Sequence, residues 1–187
     1  MLSDALLNFV PLGGNLSMVG AAGVAIPSTN VIDLLGSGVG TPPANIIGAQ
    51  NVIFGEDPGV GGRARPEINC VTGTAFVTAN AATLNVQLQY APDPGVAGNY
   101  TPAAGAWVTV AETGAIAVAN LGAGVVIARF PFLPAVPAGV QRPRFVRLNF
   151  APAAATNFTA GTIFAATVTI VRDDQANRQA QRNFVVA

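Results

Sequence analysis

The 187-residue sequence contains no histidine, and its nine cations are all arginine, so lysine is absent too. Those absences remove Ser-His-Asp and Cys-His triads, histidine-ligated zinc or iron, the P-loop lysine and Schiff-base chemistry. The single cysteine, Cys70, excludes an internal disulfide and any cysteine-cluster metal site. General acid–base work is left to nine carboxylates and two tyrosines. No two of those carboxylates sit in a recognisable glycosidase arrangement. The chain is expected to be no enzyme, with no catalytic residue, no cofactor and no resident metal.

Charge is scarce as well. Only 10% of residues are charged while 51% are apolar, against about 25% charged in an ordinary soluble domain. Yet the long apolar run that a helical membrane span needs, roughly 20 residues, is missing. The most apolar stretch, Ala115 to Val136, is broken by Asn120, Arg129, Pro131 and Pro134. Asp4 stands where an export signal would place a cation, so no export and no membrane partner are expected, and the sequons at Asn15, Asn99 and Asn157 read as chance. A net charge of zero gives none of the basic excess usual in nucleic-acid binders. The charge is unevenly spread: residues 1–120 carry −5 and residues 121–187 carry +5. Folding can mix the two over one surface, or complementary patches can meet head-to-tail in an assembly, where charge sets orientation.

What is present is alternation. From Thr83 to Tyr90 the apolar residues share one face and Asn85, Gln87 and Gln89 the other, the pattern of a half-buried strand. Arg144 to Phe150 repeats it, with Val146, Leu148 and Phe150 on one side and Phe145, Arg147 and Asn149 opposite. Phe164, Ala166, Val168 and Ile170 mark a third strand. Weaker candidates are Asn30–Leu34, Ile68–Val77, Trp107–Ala111, Ala115–Ala119 and Val125–Leu133, the last demoted to an edge by Pro131. No segment makes a long amphipathic helix. Eight or nine strands at turn-separated intervals predict an all-β fold, an antiparallel jelly-roll sandwich of two packed sheets, with an immunoglobulin-like sandwich as the next choice. Residues 1–174 read as one domain carrying a Gly/Pro-rich loop at 36–66, and 175–187 as a tail, either a last strand or a docking arm.

Candidate sites are few. The glycine runs at 36–40 and 59–62 match no phosphate-loop pattern. Glu56-Asp57 and Asp173-Asp174 offer oxygen ligands for calcium, but turn chemistry and a solvated strand end explain them better. Cys70 reads as buried filler rather than a reactive thiol. Trp107, Tyr90 and Tyr100 could form a sugar platform, although Trp107 and Tyr90 fall on apolar faces and read as core. The strongest remaining argument is the surface: so few charged side chains cannot cover one domain, and monomers rarely expose large apolar patches. The outside is expected to be covered by other copies or by a larger body.

Several blocks resemble a known family. Met1-Leu2 with Asp4 and Phe9 comes first, then Ser28-Thr29-Asn30-Val31-Ile32-Asp33-Leu34. Ala82-Thr83-Leu84 with Val86 and Leu88-Gln89 follows, then Arg144-Phe145-Val146-Arg147-Leu148-Asn149-Phe150, then Phe158-Thr159-Ala160-Gly161-Thr162-Ile163-Phe164-Ala165. In that order they resemble the small jelly-roll cement, or decoration, proteins of tailed-bacteriophage capsids. The segment from Gly36 to about Pro66 looks like an insertion and the tail after Asp174 like an extension. The resemblance implies a structural virion protein, made in the host cytoplasm, on the outer face of the capsid. Its partners would be the phage major capsid protein and itself, as a homotrimer bridging neighbouring subunits. Contacts would come from Arg63 and Arg65 of the loop and from Arg172, Arg178, Arg182 and Phe184 near the chain's end. The rival reading is a carbohydrate- or receptor-binding head-fibre or tail-fibre module.

Overall fold

The computed structural model describes residues 2–34, 43–47, 65–103, 105–132 and 143–171. They are built from strands, short turns and one 3-10 turn at Val118–Asn120. Eight principal strands carry the fold: β1 (Leu2–Val10), β4 (Val31–Asp33), β6 (Arg65–Thr72), β8 (Thr83–Pro92), β9 (Val108–Glu112), β11 (Val126–Pro131), β12 (Pro143–Pro152) and β14 (Thr162–Val171). Six short ones accompany them: β2 (Leu16–Ser17), β3 (Ile26–Pro27), β5 (Ile46–Ile47), β7 (Val77–Thr78), β10 (Ile116–Ala117) and β13 (Phe158–Ala160).

The principal strands pair as nested antiparallel couples: β1 with β14, β4 with β12, β6 with β11, and β8 with β9. Contacts of β14 with β6 and of β12 with β8 then join the couples into two sheets. First pairing with last, second with last but one, and so inward is a hairpin rolled up on itself, a jelly roll. The five-stranded sheet runs β1-β14-β6-β11 with β2 beside β14, and the seven-stranded sheet adds β3, β5 and β10. Every join between principal strands is antiparallel, whereas β5 lies parallel to β4.

Between the sheets the alternating residues meet. Leu84, Val86, Leu88 and Tyr90 of β8, with Val146, Leu148 and Phe150 of β12, form one wall of the core. Ile68 and Cys70 of β6, Phe130 of β11, and Ile163, Ala166 and Val168 of β14 form the other. At about 1.5–3 kcal/mol for each fully buried large side chain, this layer dominates the stability. Pro131 closes β11, an edge strand, the place in a sheet where proline is tolerated.

Four details differ from the sequence reading. β6 begins at Arg65, inside the expected 36–66 loop, and β5 forms within that same segment. Pro66 pairs with Ile170 beyond the end of β11, so among the described residues it has no second neighbour strand. The expected strand at 68–77 stops at Thr72, and the chain turns at Gly73, where a Cβ would run into the Thr162 hydroxyl and only glycine fits. The stretch 115–119 gives only β10 before the 3-10 turn. Phe164 does not share a face with Ala166 and Val168: an extra residue in β14 between Ile163 and Ala165 forms a bulge, so Ile163 enters the core and Phe164 is 38% exposed.

Candidate functional surface

The outward face of the seven-stranded sheet is not simply solvated. Phe145, Arg147 and Asn149 of β12 stand beside Ala91, Gln89 and Gln87 of β8. Phe145 is fully buried there, because Ala91, Tyr100 and Ile46 pack on it, with Val31 and Trp107 at the margin. This second apolar cluster corrects the expectation for Trp107. Tyr90 is core, but Trp107 lies on the opposite side of the sheet, carried there by the segment between β8 and β9. The three aromatic residues therefore form no common sugar platform.

A buried ion group holds that segment down. Arg144 donates from Nε to both oxygens of Asp33 (3.2 and 3.3 Å) and from Nη2 to Asp33 Oδ2 at 3.1 Å. Its Nη1 donates to Asp93 Oδ1 at 2.9 Å. The guanidinium carbon also lies 4.7 Å from the Phe145 ring centroid and 5.3 Å from that of Tyr100. Burial opposes the Arg144 charge, yet the hydrogen bonds to Asp33 and Asp93 outweigh it and hold the group above its ordinary value. The backbone N–H of Gly95, then the Arg144 guanidinium, hold the Asp93 carboxyl below its ordinary value. Asp33 and Arg144 belong to two of the blocks that carry the family resemblance, and here their work is to lock β4 onto β12.

Beside this group runs a polar ladder. Arg147 Nε donates to Gln89 Oε1 at 2.9 Å. Gln89 Nε2 donates on to Gln87 Oε1 at 3.4 Å and to Thr109 Oγ1 at 3.3 Å. Gln87 Nε2 in turn faces Glu112 Oε2 at 3.5 Å, and Asn85 Nδ2 donates to that same oxygen at 2.8 Å. Asn149 Nδ2 joins at Gln87 Oε1, 2.8 Å away. All the amides point their donors from the cation toward the anion, so the two end charges fix the orientation of everything between them. The Arg147 guanidinium carbon lies 4.0 Å from the Trp107 ring centroid, a cation–π stack.

The rest of the described surface is short of charge. Seven charged side chains fall where side chains are described: Asp33, Glu67, Asp93, Glu112, Arg129, Arg144 and Arg147. Of these only Asp93, Glu112 and Arg129 are exposed, whereas nine large hydrophobic residues are. Several of the nine gather at one end of the five-stranded sheet. Gly13 N–H donates to Phe164 O, which sets Leu12 close to the Phe164 strand. Val126 pairs with Val71 next to the Phe164 bulge, and Thr72 N–H donates to Val125 O.

The residues expected to contact a shell or a neighbouring copy mostly lie outside the described residues: Arg63, Arg172, Arg178, Arg182 and Phe184. Arg65 opens β6, its backbone opposite Val171. The calcium candidates Glu56-Asp57 and Asp173-Asp174 also lie outside. Cys70 is fully buried, and burial pushes its thiol up to about 12, the behaviour of core filler. Among the described residues no three of His, Cys, Asp and Glu gather as metal ligands, and no helix is long and apolar enough to cross a membrane. Neither protein-family models nor curated proteins gave a match to this chain.

Proposed function

We propose that this chain is a structural virion protein that binds the outer surface of an assembled phage capsid, bridging neighbouring major capsid protein subunits. The observation that carries the reading is the described surface itself: nine exposed large hydrophobic side chains against three exposed charged ones. A jelly roll so finished gains by being covered. The Leu12, Val126 and Phe164 end of the five-stranded sheet is the part such a body would cover. The family resemblance of the ordered sequence blocks supplies the nature of that body. Its mechanism is mass action: a partner that binds only the assembled lattice shifts the equilibrium toward that lattice. Homotrimeric attachment would add avidity without any new contact.

Cosedimentation with expanded heads built from the major capsid protein of the same genome tests the reading. Wild-type protein is expected to pellet saturably with heads and to raise their thermal rupture temperature. A soluble monomer that stays in the supernatant and leaves rupture unchanged would overturn it.

A further inference from the structure

Arg147 is the half-buried cation of the described residues that has no carboxylate beside it, whereas Arg129 is exposed. Arg144, its neighbour on the same sheet, holds two carboxylates. Arg147 holds none. Its Nε is committed to a neutral amide oxygen, Gln89 Oε1, and one region of the guanidinium is covered by the Trp107 ring. Nη1 and Nη2 donate to nothing among the described residues. Glu112, the carboxylate of the same ladder, is separated from it by two glutamines. Burial alone pushes the Arg147 guanidinium below its ordinary value, with no acid to counter it. A half-buried cation left without an anion costs free energy that a well-placed carboxylate returns.

The geometry is already organised for that carboxylate. The Trp107 stack and the Nε bond remove the freedom of the long side chain, so the entropy of ordering it is spent before any ligand arrives. Nη1 and Nη2 form the end-on edge of a planar fork, which matches the two oxygens of a carboxylate in parallel N–H···O bonds. Gln89 and Asn149 flank it on the neighbouring positions of β8 and β12, offering neutral amides that neither repel an anion nor compete with the cation. The site lies on a sheet face, as suits an acidic side chain presented by another protein surface.

We infer that the Arg147–Trp107 pair on the outward face of the seven-stranded sheet is a docking site for a carboxylate, the aspartate or glutamate side chain of a protein partner. That the partner is a capsid subunit rests on the proposed function; the site itself does not.

Titration of isotope-labelled protein with a capped hexaglutamate peptide, followed by NMR, tests it. The Arg147 Nε–H and Trp107 indole signals are expected to move saturably, while a capped hexaglutamine peptide leaves them still. Arg147→Gln should weaken hexaglutamate binding about tenfold or more, in line with the loss of charge-assisted hydrogen bonds. Arg147→Lys keeps the charge without the fork and should fall between the two; thermal melts confirm that each variant is folded. The inference is overturned if the two signals stay still, if Arg147→Gln binds as wild type does, or if an oligoglucuronate moves them and hexaglutamate does not. Head cosedimentation separates the two claims. Heads that bind Arg147→Gln as well as wild type remove this site from attachment and leave the proposed function standing. Hexaglutamate binding by a protein that ignores heads does the reverse.

Discussion

Replacing Asp33 with asparagine keeps the shape of the side chain and removes the charge that faces Arg144. The carboxylate is fully buried and receives three of the guanidinium's bonds at 3.1–3.3 Å. Removing one partner of a buried ion pair costs about 3–5 kcal/mol, because the other charge stays buried without compensation. The lower end applies here, since Asp93 still holds Nη1 at 2.9 Å and the Phe145 and Tyr100 rings still flank the cation. A loss of about 3 kcal/mol lowers the melting temperature by about 6–12 °C in a chain of this size. Urea denaturation followed through Trp107, the only tryptophan, measures it. The same fluorescence reports on the segment that Asp93 ties to the sheet. The double variant Asp33→Leu with Arg144→Met removes both charges and should recover much of the loss, because apolar replacement of a buried pair is close to neutral. If Asp33→Asn loses less than about 1 kcal/mol, or the double variant is as unstable as the single one, the ion group does not hold β4 to β12 in the way its geometry implies.

Gly161→Ala should cost about 2 kcal/mol or more, because Gly161 has φ +134° and a Cβ there would sit 2.6 Å from the Phe76 ring; an unchanged urea midpoint would count against this backbone. Tyr90→Phe should leave stability level or raise it by about 1 kcal/mol, since the buried Tyr90 hydroxyl has no hydrogen-bond partner among the described residues, and a clear loss would mean that the hydroxyl is paired. Stability should be level between about pH 6 and 8, as no histidine is present to titrate. It should fall in acid: the folded-state value of Asp93 is lowered, so its contribution is complete above the ordinary carboxylate range and is lost as pH drops through the folded value. Asp93→Asn should flatten part of that acid decline in pH-dependent melts, whereas a steep loss near pH 6.5 would refute the expectation of level stability there.

The parts of this fold that were legible from sequence are those where period two runs without interruption. β8 and β12 place every expected apolar residue in the core, because both pair over nearly their whole length and lie centrally in their sheet. β14 was legible as a strand but not in its facing, since the bulge after Ile163 turns Phe164 outward, and one inserted residue leaves no trace in composition. β1 was not legible at all. Its ladder with β14 slips twice, between Ser3 and Asn8 and again before Val10, so adjacent Phe9 and Val10 are both buried. The outward site was half legible. Phe145 stands on the polar side of β12, and a phenylalanine there signals that something covers that face; only the fold shows that the cover is the segment bearing Tyr100 and Trp107.

Where the few described charges sit bears on what the sandwich can do. Arg144 and Asp33 are spent on joining β4 to β12, and Asp93 on tying down the segment that follows β8. Glu112 is spent on orienting the amides of β8. Glu67, Arg129 and Arg147 are left, and of these Arg147 is the half-buried cation, stacked on Trp107 and bonded to Gln89, with no carboxylate beside it among the described residues. The described part of the surface, with three exposed charged side chains, gains little long-range attraction from them, so it contributes little to steering a partner by field. On the proposed function, what the described residues offer a partner acts at contact: apolar cover around Leu12 and Phe164 and one oriented guanidinium. The first term is weakly sensitive to salt and the second is short-ranged and half-buried, so the share of attachment that these two contacts carry should survive ionic strengths that dissolve ordinary charge-steered complexes.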